Sequence, residues 1–328
     1  MPLDAVAVIG AGAWGTALAQ AAAMAGRRVV IGARDPALVA EVNQRHTNSA
    51  YLGAQVLSDR ISAAALVEAA GSAEIVIMAV PAQATRAALA GLPLAEKPVI
   101  LSAKGLEHGS LKRQSEILHE LAPDAVPYVL SGPSFAADVA AGRPTAVTLA
   151  GDDASETSDL AAALAGPSFR PYAADDRIGV ELAGALKNVY ALGCGAVEGA
   201  GLGASARSAL LARAFAEMSR MVTRMGGSAS TLTGLAGLGD LTLTCTSTQS
   251  RNYRFGIALG RGESVERIAQ GDVGLAEGVA TAPVARQLAA DLGIDAPLID
   301  AVNLLLKGST AIGTIVAGLM SRPLKRED

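Results

Sequence analysis

The chain has 328 residues, with 27 Lys and Arg against 31 Asp and Glu, for a formal net charge of -4 with its 3 His neutral. Apolar residues make up 51% and charged residues 18%, which excludes global disorder and provides for one large or two medium domains. Aromatics are only 3%, so small aliphatic side chains must fill the core; an acidic balance without basic runs argues against a nucleic-acid partner. The 2 Cys, Cys194 and Cys245, can form neither a disulfide framework nor a zinc knuckle, and they fit reduced cytosolic thiols.

Between Asp4 and Arg27 lie 22 residues without a charge, enough on length alone to cross the roughly 30 Å of bilayer hydrocarbon. Glycines at 10, 12, 15 and 26 and the lack of a basic N-terminal region argue against a span or signal peptide. The segment reads better as strand, turn and helix. Ala5 to Ile9 is a continuous apolar run suited to a strand covered on both faces. Gly10-Ala11-Gly12-Ala13-Trp14-Gly15 follows, then an Ala-rich helix stopped by Gly26. This is G-x-G-x-x-G in the setting that gives it meaning. Gly10 permits the tight turn, Gly12 lets the backbone approach a pyrophosphate, and Gly15 lets helix and strand pack closely. The anion then rests on free N–H groups at the helix start.

A second strand, Arg28 to Ile31, leads to Gly32-Ala33-Arg34-Asp35. An NAD-only site would place an acidic residue here for the ribose hydroxyls, but Arg34 comes first, and a guanidinium suits a 2′-phosphate. NADPH is therefore favoured, while adjacent Asp35 keeps NADH possible; the alternative for Arg34 is a solvated loop cation. Further apolar runs at 75–80, 99–101, 128–130 and 146–149 alternate with helical or loop patterns, as in repeated β-α units. Pro81, Ser102-Ala103-Lys104-Gly105 and Ser131-Gly132-Pro133-Ser134-Phe135-Ala136 each follow a strand directly, where ligands sit in open α/β sheets. Each alone reads as an ordinary turn; the three together make a rim for cofactor and anion.

From about Asp176 the pattern becomes Ala/Leu-rich and helical. The expected architecture is an α/β N-terminal Rossmann domain with a doubly wound sheet, residues 1–178, followed by an all-helical C-terminal domain, residues 179–328, for substrate and catalysis. Lys187 is the only charge in the window 182–197. It must snorkel, pair, or sit desolvated with its pKa pushed down, as a proton donor near neutral pH does. Asp240 is the only charge between Arg224 and Arg251; it either partners a cation, Lys187 being a candidate, or serves as a helix cap or Asx turn. Ser250-Arg251-Asn252 offers hydroxyl, guanidinium fork and amide, a donor set for a phosphate, although a surface loop can carry the same residues. No metal is expected: His46, His108 and His119 are scattered and neither Cys lies in a Cys-x-x-Cys. No Gly-x-Ser-x-Gly elbow is present.

In order, these residues resemble the bacterial-type NAD(P)-dependent glycerol-3-phosphate dehydrogenases along essentially the whole chain. The resemblance is carried by residues 10–19, Asn48-Ser-Ala-Tyr-Leu52, Val80-Pro81, Ser102-Ala-Lys-Gly105, 131–136, Leu186-Lys-Asn188, Gly237-Leu-Gly-Asp-Leu241, Thr244-Cys-Thr-Ser247, 250–252 and Ala276-Glu-Gly278. It implies reversible reduction of dihydroxyacetone phosphate to sn-glycerol 3-phosphate for phospholipid synthesis, by a cytoplasmic homodimer without a membrane span. Under it Lys187 is the acid/base, Asp240 its catalytic companion, and Lys104 lies between cofactor and substrate. Gly132, Ser134, Asn188, Thr244, Ser250, Arg251 and Asn252 join them on the substrate side. Gly10, Gly12, Ala13, Trp14, Gly15, Arg34, Tyr51, Ala136, Arg251, Leu275 and Glu277 contact the dinucleotide. Two other readings share the dinucleotide turn. A 3-hydroxyacid dehydrogenase or ketopantoate-type reductase has less use for Ser250-Arg251-Asn252, and a non-catalytic dinucleotide sensor has none for Lys187 with Asp240.

Overall fold

A computed structural model describes residues 3–274, 276–324 and 326. The uncharged N-terminal run forms strand β1 (Ala5–Ile9) and helix α1 (Ala13–Met24). Every β1 residue is buried, which is why the strand shows no polar alternation. After it come β2 (Arg28–Gly32), helix α2 (Pro36–Arg45), β3 (Ile61–Ala64), β4 (Ile75–Met78) and β5 (Pro98–Leu101). Helix α3 (Gln114–Leu121), β6 (Val126–Ser131), β7 (Thr145–Ala150) and β8 (Phe169–Ala174) complete the sheet region.

The eight strands form one sheet in the order β3-β2-β1-β4-β5-β6-β7-β8. All neighbours are parallel except β6 and β7. β1 lies between β2 and β4, where the winding reverses, so the glycine turn leaves the sheet at the switch point at which doubly wound folds bind ligands. Alternate β1 side chains feed cores on opposite faces. Val6 and Val8 pack with Ala17, Leu18 and Ala21 of α1, while Ala7 and Ile9 pack with Val76, Met78 and Leu101. The low aromatic content thus reflects alanine-rich helices lying close on the sheet.

The apolar runs read from sequence all become strands, each shifted by no more than two residues at an end. β3 and β8 lacked that signal. β3 is four residues long, and β8 carries Arg170 and Pro171 along a half-exposed edge, the usual composition of an edge strand.

The chain divides into two compact units, Met1–Gly184 with Gly226–Asp240, and Ala185–Met225 with Leu241–Asp328. Helix α4 (Arg177–Gly199) is continuous from the first into the second. The second unit continues with α5 (Gly203–Arg224). A π-helical turn at Leu235–Gly239 leads into α6 (Asp240–Thr246). Then come α7 (Arg251–Gly260), α8 (Glu277–Asp291), α9 (Pro297–Lys307) and α10 (Ile312–Met320). Among the described residues no strand follows β8, and no helix is long and apolar enough to cross a membrane.

In the second unit α4 and α7 meet at backbone distance: a Cβ on Gly195 would run into the Tyr253 carbonyl, and one on Gly256 into that of Leu192. The buried carboxylate of Glu217 on α5 caps α9, accepting from Leu298 N and Ile299 N, both at 3.0 Å. Tyr190 Oη on α4 donates to it at 3.4 Å. Burial pushes the Glu217 carboxyl up to about 6 against the pull of those N–H donors, and burial beside Glu217 raises the Tyr190 phenol well above its ordinary value.

Candidate active site

In the first unit the glycine turn is shaped for an anion. Gly10 has φ 117°, and a Cβ there would lie 2.8 Å from the Ala79 carbonyl oxygen; one on Gly15 would collide with the Gly10 carbonyl. The space at Gly12 is open within 4 Å. No side chain caps α1 and no acidic residue stands in its first turn, which leaves its leading N–H groups to an anion. These residues fit a dinucleotide pyrophosphate.

Beyond β2, Asp35 caps α2 by accepting from Ala37 N at 2.9 Å. Its carboxylate is committed to the helix. Arg34 is exposed and makes no ion pair among the described residues. Tyr51 is 55% exposed on the short helix Ser49–Leu52.

The turns after β5 and β6 meet at Lys104. Its Nζ donates to Asp240 Oδ2 at 2.8 Å and to the Gly132 carbonyl at 3.2 Å, and it stands 5.9 Å from the centre of the Trp14 ring. Ser134 Oγ donates to the same Gly132 carbonyl at 3.0 Å. Ala136 begins the short helix that follows. Asp240 is 1% exposed and opens α6. The first unit therefore gathers Trp14 of the glycine turn, Lys104, Gly132, Ser134 and Asp240. All five stand out in the sequence, whereas the pairing of Lys104 with Asp240 leaves no mark there.

The residues that hold the Lys104 loop are equally silent in the sequence. Gln114 Nε2 donates to the Gly105 carbonyl at 2.8 Å. The next residue, Ser115, donates to Glu181 on α4 through its N–H at 2.9 Å and its hydroxyl at 2.6 Å. Burial raises the Glu181 carboxyl, opposed by the Ser115 hydrogen bonds and the Arg113 guanidinium. Neutral polar residues at a helix start carry no sequence signal of this kind; Glu181 stood out only as the edge of an uncharged window.

In the second unit Lys187 is 5% exposed and donates to Thr244 Oγ1 at 2.9 Å. Its ammonium does not snorkel to solvent. One residue on, Asn188 Oδ1 accepts from Asn252 Nδ2 at 2.9 Å, and Asn252 Oδ1 accepts from Gly278 N at 2.8 Å. The Asn252 amide therefore ties α4, α7 and the start of α8, where half-buried Glu277 stands. Ser250 Oγ caps α7, accepting from Tyr253 N at 3.2 Å. Arg251, the first residue of α7, is exposed and makes no ion pair among the described residues. The candidate phosphate trio is thus divided in its duties: one cap, one buried tie and one available guanidinium. Leu275, an expected dinucleotide contact, lies outside the described residues.

A family model described as NAD-dependent glycerol-3-phosphate dehydrogenase N-terminus matches residues 5–157, and the C-terminus model of the same name matches residues 176–317. A Caulobacter vibrioides protein named glycerol-3-phosphate dehydrogenase (NAD(P)+) is 47% identical over 330 residues, spanning 100% of both chains. A Brucella ovis protein of the same name is 48% identical over 98% of this chain and 99% of its own. The crystal structure of glycerol-3-phosphate dehydrogenase from Coxiella burnetii superposes with a TM-score of 0.92 at 36% identity, covering 98% of this chain and 100% of that one. The chain belongs to the NAD-dependent glycerol-3-phosphate dehydrogenase family. Membership agrees with the architecture expected from sequence, a doubly wound sheet followed by helices. Strands β1 to β7 and the glycine turn fall in the family's N-terminal part, and Lys187 and Arg251 in its C-terminal part.

Proposed function

We propose that this enzyme catalyses the reversible NAD(P)H-dependent reduction of dihydroxyacetone phosphate to sn-glycerol 3-phosphate, feeding glycerophospholipid synthesis. The observation that carries the reading is a buried, hydrogen-bonded ammonium, Lys187, in a chain matched along its whole length by relatives named for this oxidation. Residues 1–178 are assigned to the dinucleotide and residues 179–328 to substrate and proton transfer. A cytoplasmic homodimer is the proposed form, on the strength of the family resemblance.

When bound, the dihydronicotinamide supplies a hydride to C2 of the substrate. Lys187, oriented by Thr244, hydrogen-bonds the C2 carbonyl oxygen and gives it a proton as negative charge develops there. Removal from water strengthens this interaction, because solvent no longer screens the ammonium. In the reverse direction the neutral amine takes the proton back. Asp240 balances the charge of Lys104 and completes the catalytic set with Lys187. The free fork of Arg251 suits a phosphate dianion. Ser250 and Asn252 hold its helix in place, with Gly132, Ser134, Asn188 and Thr244 completing the substrate side. Gly10 to Gly15 hold the pyrophosphate, Arg34 the 2′-phosphate, and Tyr51, Ala136, Leu275 and Glu277 are the remaining proposed dinucleotide contacts. Since Asp35 is committed to α2, the residues after β2 favour NADPH while still admitting NADH.

The test compares oxidation of NADPH and NADH with dihydroxyacetone phosphate and with unphosphorylated dihydroxyacetone. Fast turnover restricted to the phosphorylated ketone is expected. Equal rates with both ketones would remove the assigned substrate class.

A further inference from the structure

Asn48 is fully buried although it lies in a connection that follows α2. Its Nδ2 donates to the Ala11 carbonyl at 2.9 Å and to Thr16 Oγ1 at 2.7 Å, and that hydroxyl leans on the same carbonyl at 3.4 Å. Because a carbonyl only accepts, the amino end of the amide must be the end that faces it. A trans peptide points its C=O and N–H in opposite directions. Anchoring the Ala11 carbonyl therefore turns the Gly12 N–H away from Asn48. The segment bearing Asn48 is itself held: Glu41 accepts from Thr47 Oγ1 and from Ser49 N, each at 2.8 Å.

We propose that Asn48 is a positioning residue for the dinucleotide pyrophosphate, fixing the Ala11–Gly12 peptide so that the Gly12 N–H is presented to the anion. Asn48 touches no reacting atom; it acts through the backbone of the glycine turn. The inference rests on the dinucleotide reading of that turn.

Trp14, the only Trp of the chain, sits inside the turn and reports binding directly. The experiment titrates NADPH into wild type, Asn48→Ala, Asn48→Asp and Thr16→Val, following Trp14 fluorescence, and measures KM for NADPH and for dihydroxyacetone phosphate. Asn48→Asp keeps the shape but sets an acceptor against the Ala11 carbonyl. Loss of one buried hydrogen-bonding group predicts a Kd for NADPH weakened about tenfold in both Asn48 variants, and less in Thr16→Val. KM for NADPH rises in parallel, while KM for dihydroxyacetone phosphate stays within about twofold. A lower melting temperature with an unchanged Kd in the folded fraction would overturn the proposal, since it marks Asn48 as structural only. Should Asn48→Ala not fold, Asn48→Asp and Thr16→Val decide by the same criterion. If wild type itself fails to bind NADPH, it is the dinucleotide reading that falls.

Discussion

Lys187 donates to Thr244 from a position only 5% exposed, so its replacement by Ala removes an ammonium and leaves Thr244 to repair locally. The expected loss in kcat is about a hundredfold or more, with NADPH binding intact because Lys187 is proposed to meet the substrate and not the dinucleotide. Near-normal kcat in Lys187→Ala would return the residue to a structural part. Arg251 differs in kind. Its guanidinium has no ion pair to lose among the described residues, so Arg251→Ala should leave stability within about 0.5 kcal/mol. It should lower kcat/KM for dihydroxyacetone phosphate far more than for dihydroxyacetone. Equal losses on the two ketones would remove its phosphate role. Lys187, Asp240 and Arg251 were legible in sequence because charge is scarce and each borders or interrupts a long uncharged window. Asn48, Gln114 and Ser115 left no such trace, and the partner of Asp240 is 136 residues away.

At the scale of elements, helix starts are held by side chains from distant helices. Glu181 on α4 receives the start of α3, and Glu217 on α5 receives that of α9. Both carboxyls are raised by burial, so the sign of their pH effect is opposite to that of a surface ion pair. Glu217 has a folded pKa of about 6 against 4.5 in the unfolded chain. Its favourable contribution is fully present below 4.5 and is lost as pH rises through about 6. Urea unfolding of wild type and Glu217→Gln at pH 4.5 and pH 7 should show the wild-type advantage shrinking by about 2 kcal/mol toward pH 7. Parallel pH profiles would remove the assignment. Glu217→Ala should cost about 3 kcal/mol at either pH, because two buried N–H groups lose their acceptor. The Ala/Leu-rich pattern made the helices themselves legible in part, but not that Gly195 and Gly256 bring α4 and α7 into backbone contact.

At the scale of the whole molecule, a net charge of -4 means that an anionic substrate and cofactor are not drawn in by the overall field. Local N–H groups and single cations must hold them. Binding then shows as stabilisation: NADPH at about 100 times its Kd should add about 2.7 kcal/mol to folding stability. At equal concentrations wild type should melt higher with NADPH than with NADH, and Arg34→Ala should lose that difference. An unchanged difference would make Arg34 a solvated loop cation.

The amino-acid sequence by itself determined that a buried parallel strand runs into a glycine turn and helix, that helices follow the sheet, and that a few charges stand isolated in long uncharged windows. These are local properties, since continuous apolar runs, glycine spacing and lone charges can be read within some twenty residues. Only the tertiary structure decided that β7 runs against β6, that β3 and β8 close the sheet's edges, that Lys104 pairs with Asp240, and that Asn252 is a buried tie rather than an open donor. Each of these depends on which distant segments share a hydrogen bond or an interface. That choice is made by burial of the whole chain, which favours arrangements in which buried polar groups meet partners wherever in the sequence those lie.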